Sequence, residues 1–296
     1  MNPVVVFALP GNEPLARNLC EQLGAEAGAC LVRTFPDGEV YVRVDSPVAG
    51  RRVILACTLH QPQSKLLALL FLAATCRDLG ATEIGLVAPY LAFMRQDERF
   101  QPGEGVTSTY FAEILSRSVS WLVTVDPHLH RWHALDQIYT IPTRVARAAP
   151  AIAAWVRDGV REPVIIGPDA ESAQWASVVA SEVGAPCVVL EKVRRGDREV
   201  YITAPDLGEH RSRTPVLLDD IVSTGRTMIE AAALLDRAGL DAPVCVCVHP
   251  VFADRAYEDL HAAGMARVVS CNTIEHQSNL IAVDDLVAAA VRDLLA

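Results

Sequence analysis

Short apolar runs alternate with longer segments rich in alanine and leucine along most of this chain. The short runs have the length of buried strands, and the longer segments have the apolar spacing and glycine ends of helices. Residues 121–125 and 164–167 are examples of the first kind, and residues 228–239 of the second. Strands and helices in alternation predict an α/β fold with a mainly parallel sheet.

The alternation contains an internal repeat. Residues 3–25 align without gaps to residues 163–185 at an offset of 160 positions, and after small gaps residues 53–92 match residues 216–253. Such a repeat predicts two copies of one supersecondary unit. We expect a first domain at residues 1–145 and a second at 146–296, with the last helix packing back on the first domain.

The segment from Val216 to Gly239 carries the most informative chemistry. An apolar strand is followed by Asp219 and Asp220, then by a small polar turn, and a helix is predicted from Met228. A turn of this kind before a helix N-terminus offers backbone N–H groups and a positive dipole end to a phosphate. Adjacent acids repel each other without a ligand or metal and would suit vicinal sugar hydroxyls. A phosphosugar site is therefore favoured over an ordinary capped turn.

The first copy has diverged at the corresponding place. Residues 60–65 have the sequence His-Gln-Pro-Gln-Ser-Lys and lack the paired acids, and residues 95–109 form a charged insertion that the second copy lacks. The insertion follows a strand end, where open α/β sheets place ligands, and arginine forks suit phosphate oxygens. A solvated charge cluster is an equal alternative. The divergence suggests two different substrates.

Two further turns carry candidate ligands. Pro-Asp-Gly after Phe35 is strong turn chemistry, and a plain β-turn is the favoured interpretation. In the functional alternative Phe35 stacks on a base while Asp37 or Glu39 accepts a hydrogen bond from its exocyclic amine. Asp169 ends another strand, where it could hold a magnesium-bound water or cap the next helix, and these roles are compatible.

Three histidines, His128, His130 and His133, follow the strand at residues 121–125. No cysteine or carboxylate cluster completes a zinc site around them, and their spacing matches no structural zinc pattern. His128 is nearest the strand end, so we expect it to contribute to a magnesium–nucleotide site. Lys192, one of only two lysines, lies in a basic cluster that indicates a point charge for a ligand or a solvated hairpin tip.

Composition narrows the function classes. The formal net charge is -10, which argues against a nucleic-acid backbone as partner. The longest apolar run is too short to span a bilayer, and the first residues lack a signal-peptide pattern. Eight cysteines have no metal-like spacing, and Cys245 and Cys247 are predicted to be packed thiols on one strand face. These features favour a reducing cytoplasm. Neither a Gly-x-x-x-x-Gly-Lys loop nor a Gly-x-Gly-x-x-Gly fingerprint occurs.

Residues 219–227 resemble the phosphoribosyl-binding loop of type I phosphoribosyltransferases and of ribose-phosphate pyrophosphokinases, the PRPP synthetases. The first copy resembles the ATP-binding segments of the synthetases alone, through Phe35-Pro-Asp-Gly-Glu-Val-Tyr-Val-Arg, Pro89-Tyr, Arg95-Gln-Asp and Arg99-Phe-Gln-Pro-Gly-Glu. The resemblance covers essentially the whole chain and implies two duplicated type I phosphoribosyltransferase-like domains. The Asp126-Pro-His-Leu-His run and the short loop after Lys192 resemble the archaeal-type branch.

The resemblance implies a ribose-phosphate diphosphokinase, a cytoplasmic homo-oligomer with adenine bound near a subunit interface. Its partners would be ATP and ribose 5-phosphate, its cofactor Mg2+, and neither nucleic acid nor membrane would be bound. The implied catalytic residues are Lys192 and Arg194, and the implied metal residues are His128 and Asp169. The implied ATP residues are Phe35, Asp37, Glu39, Arg95, Gln96, Asp97, Arg99 and His128, and the implied ribose 5-phosphate residues are Asp219, Asp220, Ser223, Thr224, Gly225, Arg226 and Thr227.

Three positions depart from the family pattern. Glu98 stands where the family usually has a basic residue, Ala-Glu-Ser replaces the usual glycines after Asp169, and Arg226 replaces a small residue. Two alternatives to the diphosphokinase remain open. One is a catalytically silent regulatory subunit, and the other is a nucleobase phosphoribosyltransferase, which would need only one copy and no ATP loop.

Overall fold

Each half of the chain folds around its own parallel sheet. The computed structural model describes residues 3–129, 131–195, 199–203 and 207–296, with backbone alone at 191–195 and 199–203. The chain divides into two compact units, Met1–Ala146 together with Asp284–Ala296, and Arg147–Val283.

The first unit contains eight of the described strands. These are β1 Val4–Ala8, β2 Glu26–Ala27, β3 Cys30–Thr34, β4 Val40–Val44, β5 Arg52–Ala56, β6 Glu83–Val87, β7 Trp121–Val125 and β8 Thr143–Ala146. Six of them form a parallel sheet in the order β2-β1-β5-β6-β7-β8, and β3 and β4 form a separate antiparallel hairpin.

The second unit repeats this arrangement. Its described strands are β9 Pro163–Gly167, β10 Cys187–Val189, β11 Glu191–Arg195, β12 Glu199–Thr203, β13 Thr214–Val222, β14 Val244–Pro250, β15 Arg267–Cys271 and β16 Asn279–Ile281. The parallel sheet has the order β10-β9-β13-β14-β15-β16, and β11 and β12 form the hairpin. The predicted duplicated α/β fold is confirmed.

Helices connect the strands of both units. They are α1 Glu13–Leu23, α2 Leu66–Asp78, α3 Thr107–Ser118, α4 Ala149–Gly159, α5 Ala173–Val183, α6 Arg226–Arg237, α7 Ala256–Ala262 and α8 Asp284–Leu295. The C-terminal helix α8 belongs to the first unit, where Gln22 of α1 bonds both Asp285 and Arg292. No helix in the described part of the chain has the length and apolar character needed to cross a membrane.

Both faces of a parallel sheet are covered, so its central strands are mainly apolar. Every residue of β7 and of β14 is buried, including the predicted packed thiols Cys245 and Cys247. Packing between neighbouring strands is close enough to require glycine at one point. A Cβ on Gly85 would lie 2.0 Å from Cζ2 of Trp121 on the adjacent strand, so only glycine leaves room for the indole.

The element boundaries around the paired acids differ from the prediction. Strand β13 continues through Asp219 and Asp220 to Val222, because its pairing with β14 extends from Val216 to Val222. Helix α6 begins at Arg226 instead of Met228. The loop between them is therefore shorter than predicted, at residues 223–225.

Candidate functional site

The paired acids lie near the carboxyl end of β13 in the second unit. Both side chains are partly buried. Burial raises the pKa of the Asp219 carboxyl well above its usual value, and the negative charges of Asp220 and Asp169 raise it further. The backbone N–H of Asp220 donates to Asp219 Oδ1 at 3.0 Å, and that of Ile221 donates to Asp220 Oδ1 at 2.7 Å. This concentration of carboxylates suits a ligand that brings hydroxyl donors or positive charge.

The loop after the acids turns directly into α6 through Gly225. This residue is buried with φ 72°, and an added Cβ would lie 3.3 Å from Leu260 Cγ. Glycine is required there, because other residues are strained at positive φ. The N–H of Ile229 makes a helical bond to the Gly225 carbonyl at 2.9 Å, and no side-chain hydrogen bond caps α6 in the described residues. The first N–H groups of a helix have no helical acceptors, which suits a phosphate.

The segment after β14 braces this loop through its backbone. The N–H of Phe252 donates to the Val222 carbonyl, and the N–H of Ala253 donates to the Ser223 carbonyl, each at 3.0 Å. Phe252 and the nearby Asp254 have positive φ values of 35° and 55°. Non-glycine residues hold such conformations only where the surrounding structure fixes them, and these often cluster at functional sites.

Asp169 follows β9, where the sequence left two roles open. Its Oδ1 accepts hydrogen bonds from the N–H groups of Glu171 and Ser172, both at 3.2 Å. The hydroxyl of Ser172 donates back to the Asp169 carbonyl at 2.7 Å, and Ser172 is the capping residue of α5. These contacts close a turn before α5, so the prediction that Asp169 itself caps that helix is wrong, and the metal role stays a prediction. The charge of Asp169 also acts on Asp219, as its effect on the Asp219 pKa indicates.

The site in the second unit combines carboxylate acceptors with backbone N–H donors. Asp219 and Asp220 offer carboxylate acceptors to hydroxyl groups, and the following loop and helix start offer backbone N–H groups. Ser223 and Thr227 are partly buried, whereas Thr224 and Arg226 are exposed. A phosphorylated sugar presents both hydroxyl donors and an anionic phosphate, so it matches both halves of this strand–loop–helix.

The hairpin of the first unit presents Phe35 at its tip. The N–H of Phe35 donates to the Glu39 carbonyl at 2.8 Å, and Asp37 Oδ1 accepts from the N–H of Glu39 at 3.2 Å. The Phe35 ring is 37% exposed. The guanidinium carbon of Arg33 lies 4.3 Å from its centroid and 4.5 Å from that of Tyr41. A planar cationic group thus stacks on the aromatic ring predicted to receive a base.

The loop after β6 holds four of the predicted ATP residues in different environments. Arg95 and Arg99 are exposed, and Nε of Arg99 donates to the Glu104 carbonyl at 2.9 Å. Gln96 Oε1 accepts from the hydroxyl of Thr107 at 3.0 Å. Asp97 is buried. The two arginines therefore face solvent, whereas Gln96 and Asp97 contact other parts of the protein.

His128 follows β7 and is partly buried, next to a sharp turn at Asp126 with φ 28°. The N–H of Asp126 donates to the Ala146 carbonyl at 3.1 Å. His130 lies outside the described residues. In the part of the chain that the structure describes, no three His, Cys, Asp or Glu side chains converge as ligands for a metal ion.

Lys192 and Arg194 lie on β11, opposite Ile202 and Val200 of β12. Their side chains lie outside the described part of the structure, so their predicted catalytic role stays a prediction.

Known proteins match the chain over both units. Residues 4–118 match the N-terminal domain of ribose phosphate pyrophosphokinase, and residues 134–288 match the phosphoribosyl transferase domain. The ribose-phosphate pyrophosphokinase of Methanothermobacter thermautotrophicus is 31% identical, over 98% of this chain and 100% of the relative. That of Methanopyrus kandleri is 33% identical, over 98% of this chain and 99% of the relative.

The chain belongs to the ribose-phosphate pyrophosphokinase family. Both relatives are archaeal, in agreement with the predicted archaeal-type resemblance. The crystal structure of phosphoribosylpyrophosphate synthetase from Mycobacterium smegmatis superposes with a TM-score of 0.84 over 99% of each chain. At 23% identity this likeness concerns the fold, which the two ribose-phosphate pyrophosphokinase chains share.

Two interactions at the strand ends of this pyrophosphokinase chain were missed by sequence analysis. Asn12 is 2% exposed, and its Oδ1 accepts from the N–H of Thr58 at 2.7 Å. Nζ of Lys65 donates to the Thr58 carbonyl at 3.0 Å and contacts Nδ1 of His60 at 2.9 Å. Burial lowers the pKa of His60 to about 4, and the charge of Lys65 adds to the effect. The rarity of lysine was the sole local signal for Lys65.

A third interaction joins Arg131 to Asp97 and Glu98. Glu98 was singled out by sequence because the ribose-phosphate pyrophosphokinase family usually has a basic residue at its position. Nothing in the local pattern indicates a partner more than thirty residues away along the chain.

Proposed function

We propose that this chain is a ribose-phosphate diphosphokinase. It transfers the pyrophosphoryl group of magnesium-ATP to the anomeric hydroxyl of ribose 5-phosphate, and the products are 5-phosphoribosyl 1-diphosphate and AMP. The observation that carries the proposal is the strand–loop–helix from Asp219 to Thr227, within a chain whose relatives over nearly its full length are named ribose-phosphate pyrophosphokinases.

The sugar phosphate is assigned to the second unit. Asp219 and Asp220 accept hydrogen bonds from the ribose hydroxyls, and the loop through Gly225 surrounds the 5-phosphate with Ser223, Thr224, Arg226 and Thr227. The raised pKa of Asp219 supports this assignment, because sugar hydroxyls would add donors to a crowded carboxyl whose Oδ1 accepts from a backbone N–H.

The nucleotide is assigned to the first unit. The exposed ring of Phe35 offers a stacking surface for adenine, and Asp37 and Glu39 lie in the same turn. Exposed Arg95 and Arg99 suit the phosphates, because arginine binds phosphate oxygens bidentately. Gln96 and Asp97 belong to the loop that carries these arginines, and His128 belongs to the loop after β7.

The reaction requires no covalent intermediate with the protein. The anomeric oxygen attacks the β-phosphorus of ATP in line, the bond from that phosphorus to the α,β-bridging oxygen breaks, and AMP leaves with that oxygen. The hydroxyl proton is released. The protein therefore contributes positioning and charge neutralisation. Lys192 and Arg194 are assigned to the oxygens of the transferring group, where fixed positive charge stabilises the transition state.

The chain offers Mg2+ one or two protein ligands, and substrate phosphates and water would complete the coordination. Mg2+ prefers carboxylate and water oxygens and is commonly held by one or two carboxylates together with substrate phosphates. Asp169 is a carboxylate of that kind, and His128 is the other residue that the family resemblance associates with the metal. When bound, the metal neutralises phosphate charge. This mode needs no protein cage, and no three-ligand group occurs among the described residues.

Incubation of the purified protein with ATP, magnesium and ribose 5-phosphate tests the proposal. We expect AMP and 5-phosphoribosyl 1-diphosphate to form in equal amounts. Binding of both substrates without AMP formation would indicate the silent regulatory subunit. Pyrophosphate release from 5-phosphoribosyl 1-diphosphate and a nucleobase, without AMP formation from the first mixture, would indicate the nucleobase phosphoribosyltransferase.

The proposal includes a homo-oligomer in the cytoplasm, with the adenine site near a subunit interface. Exposed apolar side chains on α2 and α3 support an interface on the first unit: Leu67, Phe71, Tyr110 and Ile114. The eight cysteines are free thiols, which supports a reducing compartment. Light scattering measures the first property, and fractionation measures the second.

A further inference from the structure

The loops after β6 and β7 in the first unit are joined by an ion-pair cluster. The Arg131 guanidinium donates from Nη2 to the Glu98 carboxylate, and its Nε lies 4.0 Å from Asp97 Oδ1. The backbone N–H of Arg131 also donates to Asp97 Oδ2 at 3.4 Å. We call Asp97, Glu98 and Arg131 the Arg131 latch. It connects two loops that follow adjacent strands of the sheet.

The burial of the latch distinguishes it from an ordinary surface ion pair. The Asp97 side chain is 7% exposed, against 32% for Glu98 and 55% for Arg131. Exposed pairs contribute little to stability, but a buried carboxylate is unfavourable unless a donor or cation compensates it. Arg131 supplies both, through its N–H and its guanidinium. The burial of Asp97 is thus explained by its contacts with Arg131, without a bound nucleotide, and its negative charge would repel ATP phosphates.

A second contact from the same loop strengthens the connection. Nε1 of Trp132 donates to the hydroxyl oxygen of Ser108 at 3.4 Å, and the N–H of Ser108 donates to the Gln96 carbonyl at 3.2 Å. Arg131 and Trp132 therefore contact the middle of the loop after β6 and the helix start that ends it. Two successive residues fix one loop against the other.

We propose that Arg131 is a positioning residue for the nucleotide. Through Asp97 and Glu98 it holds the loop that carries His128 against the loop that carries Arg95 and Arg99, so that both loops contact one ATP. The inference rests on the proposed function. The latch also explains why an acidic residue stands at position 98, where the family usually has a basic one. Arg131 supplies the positive charge, and Glu98 pairs with it.

Arg131→Met tests the proposal, because methionine keeps an unbranched apolar side chain and removes the charge. We expect the KM for magnesium-ATP to rise about tenfold, since binding depends on loop positioning, with the KM for ribose 5-phosphate within about twofold. Arg131→Lys should recover most of the loss, because it restores the cation. Arg157→Met is the control, since Arg157 is also exposed, lies on α4 of the second unit and donates to a carbonyl oxygen, that of Glu182, and it should change neither KM.

Titration with magnesium-ADP separates this inference from the proposed reaction, because it does not require turnover. If the wild-type protein forms no AMP, the reaction is wrong, whereas about tenfold weaker ADP binding by Arg131→Met still supports the latch. Equal ADP affinity in the two proteins overturns it. Equal rises in both KM values also overturn it, because they report a general structural role.

Glu98→Gln keeps the inference testable if Arg131→Met does not fold. It removes one partner of Arg131 and leaves Asp97 paired, so no buried charge is left alone. We expect ADP affinity to fall about threefold with an unchanged melting temperature. Unchanged ADP affinity in a folded Glu98→Gln protein overturns the proposal.

Discussion

The loop after β13 in the second unit and its counterpart after β5 in the first hold equivalent positions in the duplicated topology. In the second unit, two acids precede a short loop whose last residue, Gly225, is the N-cap of helix α6. In the first, the Lys65 ammonium turns back to the Thr58 carbonyl and to His60, before helix α2. In the first loop, the Lys65 ammonium is directed at groups of the same loop, whereas in the second a ligand is proposed to bind at the acids and the helix start.

Under the proposed function, this difference lets a duplicated unit serve two substrates without a change of strand order. The strand-to-helix loop itself differs between the copies, because residues 57–65 of the first contain a 3-10 helix at Pro62–Ser64, whereas only residues 223–225 separate β13 from α6 in the second. We assign the phosphosugar to the second copy, and the nucleotide to the hairpin and the loop after β6 in the first.

A change at Lys192, one of the two lysines of the chain, provides the strongest test of this comparison. Lys192→Ala should lower kcat by about a thousandfold, because it removes a charge assigned to the transition state, while ribose 5-phosphate affinity stays within about twofold. Rates of AMP formation and calorimetric titration measure the two quantities. Near-normal turnover in Lys192→Ala would falsify the catalytic assignment.

Asp219→Asn should weaken ribose 5-phosphate binding about tenfold or more, because it replaces a charged acceptor of sugar hydroxyls. The same change should raise stability at neutral pH by about 1 kcal/mol, because ionising a carboxyl with a raised pKa is unfavourable in the folded state. This gain should be absent below the unfolded-state pKa near 3.8, should grow as pH rises from there towards the higher folded-state pKa, and should be complete above it.

Melting temperatures of the wild-type protein and Asp219→Asn between pH 3.5 and pH 8 would measure this difference, at roughly half-unit steps across both pKa values. Asp236→Asn is the control, because Asp236 is exposed on α6, away from the acid pair. Equal sugar-phosphate affinity in wild type and Asp219→Asn would contradict the site.

Gly225→Ala should lower stability by about 1–2 kcal/mol, because φ is 72° and the added Cβ meets Leu260. The resulting shift of the loop should weaken ribose 5-phosphate binding about fivefold. Gly184→Ala is the matched control, with φ 75° and open space around the added Cβ. It should lower the melting temperature but leave affinity unchanged, and a comparable loss of affinity in the control would show that the Gly225 effect is not local.

Lys65→Met should have the smallest effect, because the Lys65 ammonium is directed at Thr58 and His60. We expect both KM values to stay within about twofold, and the pKa of His60 to rise from about 4, because a lowering charge is removed. Steady-state kinetics and an NMR titration of His60 measure these changes. A selective rise in the KM for ribose 5-phosphate would show that the first loop still receives the sugar phosphate.

The fold was predictable because its signals are local and periodic. Strands Trp121–Val125 and Pro163–Gly167 follow from their apolar runs, and the repeat predicted that both units share one architecture. The region around Asp219 was also predicted as strand, turn and helix. Its boundaries were wrong by a few residues, because pairing with β14 and the positive φ of Gly225 set them.

Two of the three missed contacts depend on tertiary structure. Asn12 bonds Thr58 and Arg131 pairs with Asp97 between loops that the sheet brings together, whereas Lys65 bonds Thr58 within one loop. The sequence predicted a parallel sheet, which brings the loops at the carboxyl ends of its strands together. It could not indicate which side chains pair, because many polar residues share that edge and their choice depends on distances of a few ångströms.

The return of helix α8 to the first unit has a consequence for the order in which the protein is made. Residues 284–296 are synthesised after the whole of the second unit, yet they pack on a unit whose other residues precede it. Domains generally fold during synthesis as their segments become available. The second unit is continuous, so it can finish folding before the first. The surface for α8 on the nascent first unit therefore stays uncovered until residues 284–296 leave the ribosome.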